Sequence, residues 1–133
     1  MRKTTTIWKS GQAFDSFQGN SKIEVDGNGG FSPKALLLTG LAACSGIDVV
    51  DILEKMRVPF ASLKINVAAD QTDEHPKVFK DIHIEYVIGT EEENRDKVKK
   101  AVDLSLDKYC GVSAMLKKNS KINYTITIQS DAL

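Results

Sequence analysis

A chain of 133 residues is long enough to bury a core as one domain, and it needs no disulfide staple to fold. Its 18 basic and 18 acidic residues cancel, and they intermix, as in Glu92-Glu93-Asn94-Arg95-Asp96-Lys97, the pattern of a solvated helix face. No excess positive charge is left to attract nucleic acid or an anionic membrane.

The opening run Met1-Arg2-Lys3-Thr4-Thr5-Thr6-Ile7-Trp8 begins basic but has no apolar stretch and no cleavage site, unlike a secretory signal. The longest stretch poor in charge, Ala35 to Ile47, is shorter than the about 20 apolar residues that a bilayer span takes. A cytoplasmic protein is therefore expected, in a compartment where a permanent structural disulfide is not.

Three short strands are predicted first. Thr4–Lys9 is rich in β-branched residues, and Ala13–Phe17 and Ser21–Asp26 are separated by the turn-forming pair Gly19-Asn20. Asp26-Gly27-Asn28-Gly29-Gly30 then interrupts regular structure. Ser32-Pro33 reads as an N-cap with proline at the first helical position, where its missing N–H costs nothing. The helix it opens is expected to run to about Met56, before Val58-Pro59. Its first half is apolar almost all round, and two dozen residues span about 36 Å, so a small chain has difficulty covering it alone.

Ser62–Ala69 alternates, with Leu63, Ile65, Val67 and Ala69 on one face, and Phe79–Ile88 does likewise with Ile82, Ile84, Tyr86 and Ile88. Residues 71–77 between them read as a hairpin connection. A second helix is predicted over Glu91–Tyr109, burying Val98, Ala101, Val102, Ser105, Leu106 and Tyr109, with a further helical turn near Ser113–Lys118. Ile122, Tyr124, Ile126 and Ile128 mark a final half-buried strand. No repeat or low-complexity linker interrupts residues 1–133, so a single domain is expected. The order βββ-α-ββ-α-β, with a long central helix, specifies an α+β domain with helices packed on antiparallel sheet.

Chemistry can come from few places. Cys44 sits among Gly40, Ala42, Ala43, Ser45 and Gly46, small residues that leave room beside the sulfur for a backbone or a small molecule. Buried helical cysteine is also a common small filler, and both readings stand. Cys110, in Lys108-Tyr109-Cys110-Gly111-Val112-Ser113, lies where one helix stops and another turn begins. Facing the N-terminus of that turn would favour its thiolate, and facing the C-terminus of the preceding helix would disfavour it. Asp48 and Asp51, four and seven residues after Cys44, read as helix-face or packing partners. His75 and His83 have no ligand spacing that joins them to the cysteines, so no metal is expected, and without a glycine-rich phosphate or dinucleotide motif no cofactor is expected either.

Taken together, Ser32-Pro33 before a long helix, the run Ala42-Ala43-Cys44-Ser45-Gly46-Ile47-Asp48-Val49-Val50, and Lys108-Tyr109-Cys110-Gly111-Val112-Ser113 resemble the OsmC/Ohr family (osmotically inducible protein C and organic hydroperoxide resistance proteins). The resemblance covers nearly the whole chain and is greatest to the OsmC-like branch. It implies an intertwined homodimer in which the N-terminal strands of one chain join the other and the long helices pack together. It further implies an oxidative-stress peroxidase acting on small organic hydroperoxides. Cys44 matches the peroxidatic cysteine that becomes a sulfenic acid, and Cys110 matches the resolving cysteine that condenses with it. A dithiol reductant, in the family often a lipoylated protein, would restore both thiols.

The chain departs from that pattern at one place. The family's peroxidases carry a glutamate just after the helix-opening proline, which holds an arginine against the reactive sulfur. Here Lys34 and Ala35 follow Pro33, and no arginine follows Arg2 in the early strands. Lys9 and Lys22 are the early cations available. Two functions follow: a cysteine-based hydroperoxide reductase, or a dimer of the same fold that binds a small molecule or senses redox state with weak or no turnover.

Overall fold

The computed structural model describes residues 1–130. They form two compact units, residues 1–38 and 39–130, and the long helix begins in the first and has most of its length in the second.

In the first unit β1 (Thr5–Ser10), β2 (Ala13–Gln18) and β3 (Ser21–Asp26) make an antiparallel meander in the order β1-β2-β3. Its tight turns use Gly11 and Gly19 at positive φ, a conformation that glycine reaches without a Cβ penalty. Trp8 pairs with Phe14, and Phe14 with Val25. Only Val25 is buried; Trp8 is 62% exposed, and Ile7 and Ile23 also stand in the open.

The helix α1 (Pro33–Lys55) starts at the proline read from the sequence, and Ser32 Oγ accepts the amide of Ala35 at 3.3 Å as its cap. At its far end Val58 N–H donates to Leu53 O and Arg57 N–H to Glu54 O, both at 3.0 Å. This crossed pair closes the last turn with Arg57 at φ 59°, the position usually held by glycine. With 23 residues and an 18-residue window of mean hydropathy 1.8, α1 matches a membrane span by length and composition, contrary to the shorter stretch read from charge alone. A core helix has the same properties; Leu41, Val49 and Leu53 of α1 are fully buried, and 28% of the apolar window is buried in all. Each such side chain contributes about 1.5–3 kcal/mol by leaving water.

In the second unit β4 (Ser62–Gln71) pairs antiparallel with β5 (Phe79–Gly89), and β6 (Lys121–Ile128) pairs with the other edge of β5. The β5–β6 pairing is parallel, which corrects the all-antiparallel expectation. The physical reason is the connection: residues 90–120 form a helical crossover that returns the chain to the end of the sheet where β5 began. Central in its sheet, β5 buries Ile82, Ile84, Tyr86 and Ile88 completely. The crossover holds a short 3₁₀ turn (Glu92–Asn94), α2 (Arg95–Leu104), a π-helical turn (Ser105–Tyr109) and α3 (Gly111–Lys117). Val98, Ala101 and Val102 bury one face of α2. On its other side Asp103 accepts the Tyr124 hydroxyl at 2.5 Å and the Lys99 ammonium at 2.8 Å, fixing α2 to β6. Both bonds hold the Asp103 carboxyl below its ordinary pKa, Lys99 first and Tyr124 second.

Gly46 lets α1 lie close on β4. A Cβ there would come within 2.9 Å of Ile65 Cδ1.

Candidate thiol site

Cys44 lies on α1, half-buried, one turn before Asp48. The face of α1 that enters the core carries Leu41, Ser45, Val49 and Leu53, so the sulfur sits beside the core rather than in it. Cys110 is 3% exposed. Both cysteines are free thiols, and Cys44 lies near enough to Cys110 to perturb its titration.

The π-helical turn is what brings Cys110 inward. A regular helix continuing from Val98, Ala101, Val102 and Ser105 would next bury Tyr109, as the periodicity predicted. One extra residue in the turn shifts the phase, and the Cys110 amide bonds back to Ser105 O at 2.7 Å. Tyr109 is accordingly 55% exposed and Cys110 takes the buried place. This corrects the expected burial of Tyr109. Lys108 folds over the Tyr109 ring, with its Nζ 5.3 Å from the centroid.

Cys110 then serves as the N-cap of α3. Its Sγ accepts the Ser113 amide at 3.3 Å, so of the two orientations left open by the sequence the thiol takes the one facing the free N–H groups. Ser113 Oγ also donates to Leu106 O at 3.1 Å and to Cys110 O at 3.0 Å, tying both sides of the cysteine together. Burial nonetheless dominates and raises the Cys110 pKa above the usual thiol value. The Ser113 amide pulls it down, and the neighbouring Cys44 pushes it up again.

Next to the thiols lies a buried hydroxyl network that sequence reasoning missed. Ser45 Oγ is 2.6 Å from the Tyr86 hydroxyl, and the Ser105 hydroxyl is shared between Ser45 Oγ and Asp48 Oδ2, each at 2.9 Å. Ser45, Tyr86 and Ser105 are all fully buried. Burial pushes the Tyr86 phenol up to about 12, against the opposing pull of its bond to Ser45. The Tyr124 ring meets Tyr86 edge-on at 6.1 Å. The signal available in the sequence was Ser105 on the apolar stripe of its helix, where a serine needs a partner.

The early cations are engaged within their own sheet. Lys9 bridges Asp15 at 3.2 Å and Glu24 at 3.8 Å, and Lys22 reaches Glu24 at 3.7 Å. The hydrogen bond from Lys9 to Asp15 raises the lysine's pKa. His83 bonds Asn123 and Thr125 on the exposed face of the second sheet, and His75 lies in the loop between β4 and β5. Among the described residues no group of three or more His, Cys, Asp or Glu side chains is arranged to hold a metal ion.

An open groove of about 550 Å³ runs along α1, and neither cysteine lines it. It is lined by Ala42, Ala43, Gly46, Ile47 and Val50 of the helix with Leu63 and Ile65 of β4.

Comparison with known proteins agrees with this architecture. The family model described as OsmC-like protein matches residues 26–125. Protein YhfA of Escherichia coli K12 is 32% identical over 126 residues, covering 91% of this chain and 93% of that protein. A hypothetical protein from Aquifex aeolicus VF5 superposes with a TM-score of 0.84 at 32% identity, over 98% of each chain. An organic hydroperoxide resistance protein OsmC, also described as a predicted redox protein, from Legionella pneumophila shares the fold. Its TM-score is 0.72 at 13% identity, over 96% of each chain.

Proposed function

Because the chain belongs to the OsmC-like protein family, we propose that it is a cytoplasmic thiol peroxidase, working as a homodimer, that reduces small organic hydroperoxides through Cys44 and Cys110. The observation that carries this reading is the proximity of the two thiols, close enough for Cys44 to raise the Cys110 pKa, one half-buried and one shielded. In the first step the Cys44 sulfur attacks the peroxide O–O bond. It keeps one oxygen as sulfenic acid, and the other leaves as an alkoxide that takes up a proton to become the alcohol. In the second, the Cys110 thiolate attacks the Cys44 sulfur, the S–S bond forms, and hydroxide departs with the proton that Cys110 gave up, as water. A dithiol of the lipoyl class then exchanges with the disulfide and returns both thiols. The hydroperoxide substrate class is that named for the Legionella protein of the same fold.

Homodimerisation is supported by apolar surface that one chain leaves uncovered. Ile7, Trp8 and Ile23 stand exposed on the N-terminal sheet, and Leu37 and Ile47 on α1. Patches of this kind mark association surfaces.

A second reading, a small-molecule-binding or redox-sensing dimer with little turnover, is favoured by the cation chemistry. Lys34 and Ala35 stand where the family's peroxidases have an acid, and Lys9 and Lys22 are held by Asp15 and Glu24. Free-thiol titration before and after one equivalent of cumene hydroperoxide separates the peroxidase from a binding module, and repeated equivalents with dihydrolipoamide separate it from a sensor with little turnover. The peroxidase loses both thiols in each chain and regains them with dihydrolipoamide. If both thiols remain, the binding module stands.

A further inference from the structure

Ser105 touches both cysteine-bearing segments at once. Its carbonyl accepts the Cys110 amide at 2.7 Å and so closes the π-helical turn that faces Cys110 inward. Its hydroxyl reaches across to α1, to Ser45 Oγ, the residue next to Cys44, and to Asp48 Oδ2, one turn beyond Cys44, both at 2.9 Å. Ser45 is in turn held to β5 by Tyr86 at 2.6 Å. The only backbone route between the two thiols runs through β4, β5 and α2, whereas Ser105 links them through one side chain.

We propose that Ser105 is the positioning residue of the thiol pair: it fixes the π-helical turn against α1 so that Cys110 stays within reach of Cys44. This rests on the thiol chemistry proposed above and adds to it the element that sets how readily the disulfide forms. A buried hydroxyl that bonds both a carboxylate and a second buried hydroxyl resists sliding of one helix past the other, because any shift leaves polar groups unpaired. Disulfide formation requires the two Cα atoms to lie within about 7 Å, so small movements of the turn change its equilibrium strongly. In the oxidation two electrons and two protons leave Cys44 and Cys110 for an external disulfide, which becomes two thiols.

The test is a redox titration of the purified protein in mixtures of reduced and oxidised glutathione, following the Cys44–Cys110 disulfide by mass after alkylation. In Ser105→Ala the equilibrium constant for the disulfide should fall about tenfold, the size of one lost hydrogen bond to a charged group. Ser120→Ala serves as the control. It also deletes a largely buried hydroxyl, one that donates to Phe79 O at 2.8 Å away from the thiols, and it should leave the constant within twofold of wild type. Should Ser105→Ala fail to fold, Ser45→Ala removes the other end of the same bridge and carries the same expectation. An unchanged constant in the folded variant, or an equal fall in Ser120→Ala, overturns the role of Ser105 while leaving the thiol pair intact. A wild-type protein that forms no Cys44–Cys110 disulfide in any glutathione mixture overturns the thiol reading itself, and this inference with it.

Discussion

The hydroxyls of Ser45 and Tyr86 meet at 2.6 Å inside the core, joining the residue after Cys44 to the central strand β5. Tyr86 is fully buried and its phenol has moved from 10.0 to about 12, chiefly through burial. A raised acid pKa means that the folded state holds its proton where the unfolded chain has lost it. The corresponding stability is complete below pH 10 and drains away as pH rises towards 12. Two pH units correspond to about 2–3 kcal/mol. Tyr86→Phe should cost about 1 kcal/mol at pH 8, from the lost hydrogen bond. Its deficit should shrink by more than about 1 kcal/mol by pH 11, because phenylalanine has no proton to lose. Urea unfolding of both proteins at several pH values measures this, and parallel stability curves up to pH 11 would contradict it.

The division of labour between the cysteines predicts two different failures. Cys44→Ser should abolish hydroperoxide consumption above the background without protein. Cys110→Ser should consume about one equivalent per chain and then stop at a sulfenic acid that dimedone traps. Consumption assays with mass spectrometry of the adduct check both, and steady turnover by Cys44→Ser would remove Cys44 from the role.

Burial raises the pKa of Cys110, so at neutral pH it is held largely as the thiol. Its attack on the Cys44 sulfenic acid needs the thiolate, and the thiolate fraction grows about tenfold per pH unit below the pKa. Disulfide formation, followed in single turnover after a fast pulse of hydroperoxide, should therefore accelerate by about tenfold per pH unit between pH 7 and roughly 8.5. A flat rate across that range would mean that the Ser113 amide outweighs burial.

Local signals carried much of the architecture. Ser32-Pro33 located the start of α1, the turn-forming pair Gly19-Asn20 set off β3 at Ser21–Asp26 with the same ends, and the small residues about Cys44 matched a helix lying close on Ile65. What escaped was non-local. A strand's alternation is the same whether its neighbour runs parallel or antiparallel, so the direction of β6 against β5 had no trace in residues 121–128. A π-helical turn adds one residue without a composition of its own, and extrapolating the 3.6-residue period placed Tyr109 where Cys110 lies. Ser45 read as one of the small residues about Cys44 and Ser105 as part of a buried helix face, because a serine's hydrogen-bond partner becomes visible only when another element arrives.

Arg57 was equally invisible, since its left-handed conformation is imposed by the end of α1. Its φ of 59° is unfavourable for a residue with a Cβ by about 1–2 kcal/mol, whereas glycine adopts it freely. The gain is partly offset because glycine also loosens the unfolded chain. Arg57→Gly should thus stabilise the protein by about 0.5–1 kcal/mol and raise Tm by a few degrees. Arg57→Ala keeps the Cβ and should bring no such gain. Calorimetry on the three proteins decides it, and equal gains from Ala and Gly would point to the arginine charge instead of the backbone.

The groove along α1 bears on assembly. Ile47 is 64% exposed within one chain and lines that groove with Ala42, Ala43, Gly46 and Val50. In a two-fold dimer every contact occurs twice, so one apolar side chain buried at the interface contributes on both sides. At about 1.5–3 kcal/mol each, two such burials are enough to shift a dissociation constant by two orders of magnitude or more. Ile47→Glu reverses that term and would require burying two carboxylates. Within the single chain the same substitution faces solvent and should leave the circular dichroism spectrum unchanged. Light scattering should give the wild type twice its chain mass of 14.6 kDa, and Ile47→Glu the single mass at about 10 µM, a concentration at which a weakened interface dissociates. A wild-type monomer would remove the dimer from the proposal. A dimer that survives Ile47→Glu would move its interface off this face of α1, towards the exposed strands that carry Ile7, Trp8 and Ile23.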